Sequence, residues 1–172
     1  MKIIHSLFVV FLSAIFLSSC TEQKEMSSVN PVNWQKRSAE LPANDSLTKA
    51  KSYLGIYSEI YSTSEHNTHD LTVTVSLRNT SAEDFIYLTK AAYYSTSGEL
   101  IRTYFDYPIF IKPLETVDII IEESDNTGGT GANFIIDWLD DPELTDPIFE
   151  AIMISTRGQQ GLSFTTQGKR IQ

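Results

Sequence analysis

The stretch Leu71-Thr-Val-Thr-Val-Ser-Leu77 decides the fold class of this chain. Every second residue in it is apolar and each residue between them carries a hydroxyl group, so one face of the segment is apolar and the other is polar. This period of two is typical of a half-buried antiparallel strand and does not match the 3.6-residue period of a helix. The stretch therefore predicts a β-strand that lays one side against a core.

Similar short apolar runs continue on both sides of this strand. They lie at 53–61, 85–95, 100–105, 108–112, 116–123, 133–139, 148–156 and 162–166. Turns that contain Gly or Pro separate them, and the one helical candidate, residues 138–145, contains Pro142, which would cut it to a turn. The sequence therefore predicts an all-β fold over residues 51–172, a single antiparallel β-sandwich of about eight strands, with a barrel as the alternative.

The N-terminal residues predict export. An apolar run from Ile3 to Leu17 is typical of a signal peptide over residues 1–19 and is shorter than the ~20 apolar residues of a transmembrane helix. It ends in Leu17-Ser-Ser-Cys20, which resembles the lipobox of bacterial lipoproteins. This resemblance implies that Cys20 becomes an N-terminus carrying fatty acyl chains such as palmitate. Thr21, where Asp would signal retention, implies the periplasmic side of the outer membrane if the source has two membranes.

Residues 20–50 predict a flexible tether between the membrane and the domain. They are rich in Ser, Asn, Lys and Glu and show no sustained apolar period. About 29 such residues would span roughly 30 Å as a coil. Trp34 is the exception: it is compatible with docking on the domain or with contact to lipid headgroups, although an isolated Trp of this kind is more often weakly packed.

The charge of the domain restricts its partners. Residues 51–172 contain 18 Asp plus Glu against 8 Lys plus Arg, which gives 8 − 18 = −10, and residues 113–156 contain eleven acids and no base. Such a surface repels nucleic acids and anionic lipids and favours cations or a basic partner. We therefore expect no nucleic-acid partner, and the simplest role of the acids is to keep a tethered domain soluble.

The stretch EESDNTGGTGANF at 122–134 has the composition of a ligand loop. A phosphate cradle would require a following helix, whereas a strand is expected here. Four carboxylates could form an oxygen cage for calcium: Glu122, Glu123, Asp125 and Asp137. The more common role of its glycines, Gly128, Gly129 and Gly131, is to let the chain turn between two strands.

Two histidines form a second candidate site. His66 and His69 are expected on a turn before the strongest strand, where they could bind zinc, but two His without a third ligand are a weak motif. Ser124 and Asp125 could join either His in a hydrolase, although nothing resembles a nucleophile elbow. A polar loop without catalysis is the favoured interpretation.

Arg157 is the only base between Lys112 and Lys169. We expect it to make a charge-assisted pair with Asp125 or Glu123, which would join two glycine-rich loops at one end of the sandwich.

Two resemblances add to these expectations. The strand and turn layout of residues 77–117 is similar to that of immunoglobulin-like modules of bacterial envelope proteins. A more specific resemblance, to a family of small exported bacterial proteins known only as a domain of unknown function, covers most of residues 53–170. It is carried by Glu122-Glu-Ser-Asp, Gly128-Gly-Thr-Gly-Ala-Asn-Phe134, Trp138, Glu150-Ala-Ile-Met-Ile, Thr156-Arg-Gly-Gln-Gln-Gly161 and Ser163-Phe-Thr. The resemblance implies a fold and an envelope location, and no reaction or ligand.

Together these observations favour a lipid-anchored envelope protein that is not an enzyme. Its end loops would bind a protein, a glycan or a cation, because recognition in such folds concentrates in loops. The alternative is a metal-dependent or hydrolytic periplasmic enzyme that uses the histidine turn or the acidic stretch. No cofactor is expected, with calcium or zinc as the open alternatives.

Overall fold

The structure, a computed structural model, describes residues 32–42, 47–156 and 161–172. The predicted signal peptide, the predicted lipidation residue Cys20 and Arg157 lie outside these residues. Within the three described ranges, no helix is both long and apolar enough to cross a bilayer.

The described residues form twelve β-strands and two short 3-10 turns, at Trp34–Arg37 and Gly129–Gly131. The strands are β1 (Thr48–Ile56), β2 (Glu59–Ser62), β3 (Ser64–Asp70), β4 (Thr72–Arg78), β5 (Ile86–Tyr94), β6 (Leu100–Phe105), β7 (Ile109–Ile111), β8 (Thr116–Ile121), β9 (Ala132–Asp140), β10 (Ile148–Ser155), β11 (Leu162–Gln167) and β12 (Lys169–Arg170).

Two open antiparallel sheets pack as a sandwich, which confirms the predicted all-β class. The larger sheet has the order β12-β1-β9-β5-β6, and β7 also pairs with β5; the smaller sheet has the order β11-β10-β4-β8. A separate hairpin is formed by β2 and β3. The strand count exceeds eight because the run at 53–61 divides into β1 and β2, and because β3 and β12 have too few apolar residues to show a period. The immunoglobulin-like layout stays a prediction.

The core is built from the inward residues of both sheets. In β9 the burial alternates along the strand, so that Phe134, Ile136 and Trp138 point inward. From the smaller sheet, Val75 and Met153 are fully buried in the same cluster. Burying each large apolar side chain contributes roughly 1.5–3 kcal/mol, so this shared interior holds the sheets together.

Part of the segment expected to be a tether is instead packed on the sandwich. Trp34 is 5% exposed and its ring centre lies 4.8 Å from that of Phe105. The Ala39 N–H donates to the carbonyl of Pro108 at 2.9 Å. The described part of the docked segment begins at Val32, so 32 − 20 − 1 = 11 residues lie between it and Cys20.

An ion pair fastens the docked segment. Arg37 donates from Nη2 and Nη1 to the two carboxylate oxygens of Glu115, at 2.8 and 3.1 Å. The hydrogen bonds and charge of this guanidinium hold the pKa of Glu115 below its ordinary value of 4.5. The bidentate geometry is the strong form of this interaction.

The Arg37–Glu115 ion pair predicts that the difference in stability between the natural chain and a Glu115→Gln variant depends on pH. Because the pKa of Glu115 is lower in the folded protein than in the unfolded chain, the stabilisation is fully present above pH 4.5 and is lost as the pH falls through the folded value. We expect Glu115→Gln to have a lower melting temperature than the natural chain at neutral pH, and the gap to close in acid. A gap that stayed constant from neutral pH to pH 3 would contradict the ion pair.

Candidate functional site

One end of the sandwich gathers most of the candidate residues. We call it the loop end: it comprises the β2–β3 hairpin, the turn at 95–99 and the acidic loop, defined as residues 122–131. The hairpin and this turn both hold the acidic loop through its glycines, since the N–H groups of Ser58 and Thr96 donate to the carbonyls of Gly129 and Gly128 at 3.2 and 2.9 Å. The predicted strand on each side of the acidic loop is present, as β8 and β9.

The glycines of the acidic loop are required by close packing and by backbone conformation. A Cβ on Gly128 would overlap the Tyr93 hydroxyl and would lie 2.8 Å from the Ala132 Cβ and 2.9 Å from the Ser58 Oγ. Gly129 has φ +76°, in the left-handed region that favours glycine. A Cβ on Gly131 would meet only ordinary contacts at 3.5 Å or more. Two of the three glycines therefore have a structural reason to be glycine.

Beneath the acidic loop, Asp125 forms a buried ion pair. Its side chain is fully buried, and Oδ2 lies 3.3 Å from Nη2 of Arg102 on β6. Thr127 donates its hydroxyl to Oδ1 of the same carboxylate at 2.6 Å, and Arg102 also donates to the hydroxyl of Tyr104 at 3.1 Å. Asp125 thus serves as an anchor of its own loop. The expected pair with Arg157 lies outside the described residues. The sequence gives no sign of the pair with Arg102, because the distance between Arg102 and Asp125 depends on how β6 pairs with β5.

Tyr93 is fully buried beside this network. Its ring stacks on Phe134 with centres 5.1 Å apart, and burial raises its pKa to about 12. The hydroxyl is therefore protonated at neutral pH and offers no phenolate to a ligand.

The four carboxylates proposed for calcium are not brought together. Glu122 and Glu123 lie half-buried in the first turn of the acidic loop, where the carbonyl of Glu122 accepts the N–H of Asp125 at 2.9 Å. Asp137 is five residues into β9, a rise of roughly 17 Å along the strand, and it lies 3.6 Å from Lys51. Within the part of the chain that the structure describes, no group of three or more His, Cys, Asp or Glu could hold a metal ion.

The two histidines lie on strand β3 instead of the predicted turn. The pairing with β2 shifts its register between Thr68 and Ser64, so regular strand alternation does not extend to His66. The two imidazoles have separate surroundings. His66 is 83% exposed, whereas Nε2 of His69 lies 2.8 Å from the hydroxyl of buried Ser155. The hydroxyl beside His69 thus belongs to Ser155, not to the predicted Ser124, and the contact fastens the hairpin to the end of β10.

Comparison with known proteins identifies a family for the domain. A family model described as "Protein of unknown function (DUF3124)" matches residues 49–171. No curated protein and no solved structure matches the chain. The matched region extends from β1 to β12 and so includes the whole loop end.

Proposed function

Since the chain belongs to the DUF3124 family of proteins of unknown function, we propose from its own residues that it is a lipid-anchored protein of the bacterial cell envelope. In this proposal the sandwich is a non-enzymatic binding module that acts through its loop end. The observation that carries the proposal is the sequence Leu17-Ser-Ser-Cys20 at the end of an apolar run of signal-peptide length.

The lipid anchor is tested by incorporation of an alkyne fatty acid in cells. We expect the natural chain to be labelled, and Cys20→Ala to lose all label and to keep residues 1–19, because no other thiol in the chain can accept the lipid. Ser19→Ala is the matched control, since a small residue remains before the cysteine. Equal labelling of the Cys20→Ala chain would refute lipidation at this residue.

The shape of the loop end supports a binding role. Hairpin β2–β3 pairs with neither sheet, and most of its side chains are exposed, including Tyr61 at 61%. An exposed aromatic residue on a projecting hairpin suits contact with a protein or a glycan. The carboxylates of Glu59, Glu65 and Glu99 on the same end favour a partner with basic groups.

We propose a non-enzymatic role because of where the residues of the alternative, a metal-dependent or hydrolytic enzyme, lie in the fold. A metal-dependent or hydrolytic reaction needs its ligands or its nucleophile and base to converge. Asp125 is used by Arg102 and Thr127, His69 contacts Ser155, and His66 is 83% exposed. The described loop end therefore favours recognition by shape and charge.

Binding through the loop end is tested by photo-cross-linking in intact cells. A photoreactive residue at Tyr61 should yield a discrete adduct with an envelope component, while the same residue at Leu114, which is 69% exposed on the opposite end, should not. Adducts of equal yield from both positions, or from neither, would argue against this binding surface.

A further inference from the structure

The outer face of the larger sheet carries a cluster of lysines, which we call the lysine face. On β1, Lys49, Lys51 and Tyr53 alternate with the buried residues and so point outward. The strands paired with β1 extend the cluster. Asp137 on β9 lies between Lys51 and Lys90, and Lys169 on β12 is directly opposite Tyr53.

The fold thus places lysines together on one face, although the net charge of the domain is negative. Among the described strand residues on this side of the sheet, Asp137 is the only carboxylate, so four lysines face one acid. The opposite face of the sandwich carries Asp118, Glu150 and Arg78, which pairs with Glu150, and the acidic loop lies at the loop end. The repulsion from anionic lipids expected from a net charge of −10 therefore does not apply to the lysine face.

The docked N-terminal segment, described from Val32 onward, lies against the edge of this same sheet. Ala39 bonds to Pro108, next to β7 at the sheet's edge, and Leu41 lines a groove of about 410 Å³ together with Lys49, Lys51 and Thr89. Eleven residues lie between Cys20 and Val32. Even fully extended, they reach only about 40 Å.

We propose that the lysine face lies on the anionic phospholipid headgroups of the membrane that holds the lipid anchor. The inference rests on the proposed anchoring at Cys20. Lysines near an anionic membrane surface each favour the bound state roughly fivefold, and Tyr53, 41% exposed between them, suits the headgroup region. In this orientation the smaller sheet faces away from the bilayer, and the loop end points in a direction parallel to the membrane surface.

The test uses the full-length, lipid-anchored protein on vesicles of phosphatidylcholine alone or mixed with phosphatidylglycerol. An environment-sensitive fluorophore is attached to Tyr53→Cys on the lysine face or to Thr165→Cys, an exposed position on the outer face of the smaller sheet. Because Cys20 is the only natural cysteine, each lipidated variant has one free thiol. Acrylamide, an uncharged quencher in the water, then reports how far each position is covered.

On anionic vesicles we expect quenching at position 53 to fall severalfold and quenching at position 165 to stay unchanged. The protection should disappear on pure phosphatidylcholine, at high salt, and in a Lys49→Gln/Lys90→Gln variant. Flotation with the vesicles but equal quenching at the two positions would overturn the membrane contact alone. Failure to float on either kind of vesicle would overturn the anchor and, with it, this inference.

Discussion

Gly128→Ala is expected to lower the free energy of unfolding by about 3 kcal/mol, the upper part of the range for overpacking a filled interior. The added methyl group would overlap the hydroxyl of Tyr93, whose ring is fully buried and stacked on Phe134. Ala132 and Ser58 close the other sides at 2.8 and 2.9 Å. The melting temperature of the variant should fall by roughly 10 °C.

Two further variants make this prediction specific. Gly131→Ala lies in the same loop but meets nothing closer than 3.5 Å, so we expect little change in melting temperature. Tyr93→Phe removes the oxygen that the new methyl group meets, so the double variant Gly128→Ala/Tyr93→Phe should recover part of the loss. If the two substitutions were simply additive, the clash with Tyr93 would not be the cause.

Trp34→Ala is expected to cost about 3–5 kcal/mol, as for other buried Trp truncations. The indole is 5% exposed and packs on Phe105 within the core cluster. Its loss would open a cavity at the edge of the larger sheet and release the segment that Arg37 and Glu115 hold. We expect a lower melting temperature together with rapid tryptic cleavage after Lys36 and Arg37.

The neighbouring Gln35→Ala serves as the control because Gln35 is exposed. It should leave both the melting temperature and the rate of tryptic cleavage close to those of the natural chain. If Trp34→Ala behaved in the same way, the segment would be a tether as the composition predicts, and the docked position would be wrong.

The strands could be predicted from the sequence wherever one side chain in two enters the core. β4 and β9 show this alternation and were expected within one or two residues of their bounds. Hairpin strand β3 has the sequence SEHNTHD and was missed, because it is held by pairing with β2 and buries little apolar surface. The docking of Trp34 on the domain could not be predicted either, because a single aromatic residue in a polar segment does not produce a hydrophobic periodicity.

The candidate site was less predictable because nearness in sequence does not determine nearness in space. Glu122 and Asp137 looked like members of one acidic group, but strand β9 carries Asp137 far along the larger sheet. Arg102, the described partner of Asp125, is 23 residues away and arrives through the pairing of Tyr93 with Arg102. The glycine pattern, in contrast, did predict a turn between two strands, because backbone conformation is a local property.

The position of β1 between β9 and β12 means that the larger sheet is completed only when the C-terminal part of the chain is present. The hydrogen-bonding partners of β1 are β9 and β12, which begin at Ala132 and Lys169. Pairings between such distant segments give a high contact order, and proteins of this kind fold slowly. In a chain that crosses a membrane N-terminus first, β1 would therefore stay unpaired until Ala132 and the residues after it had crossed.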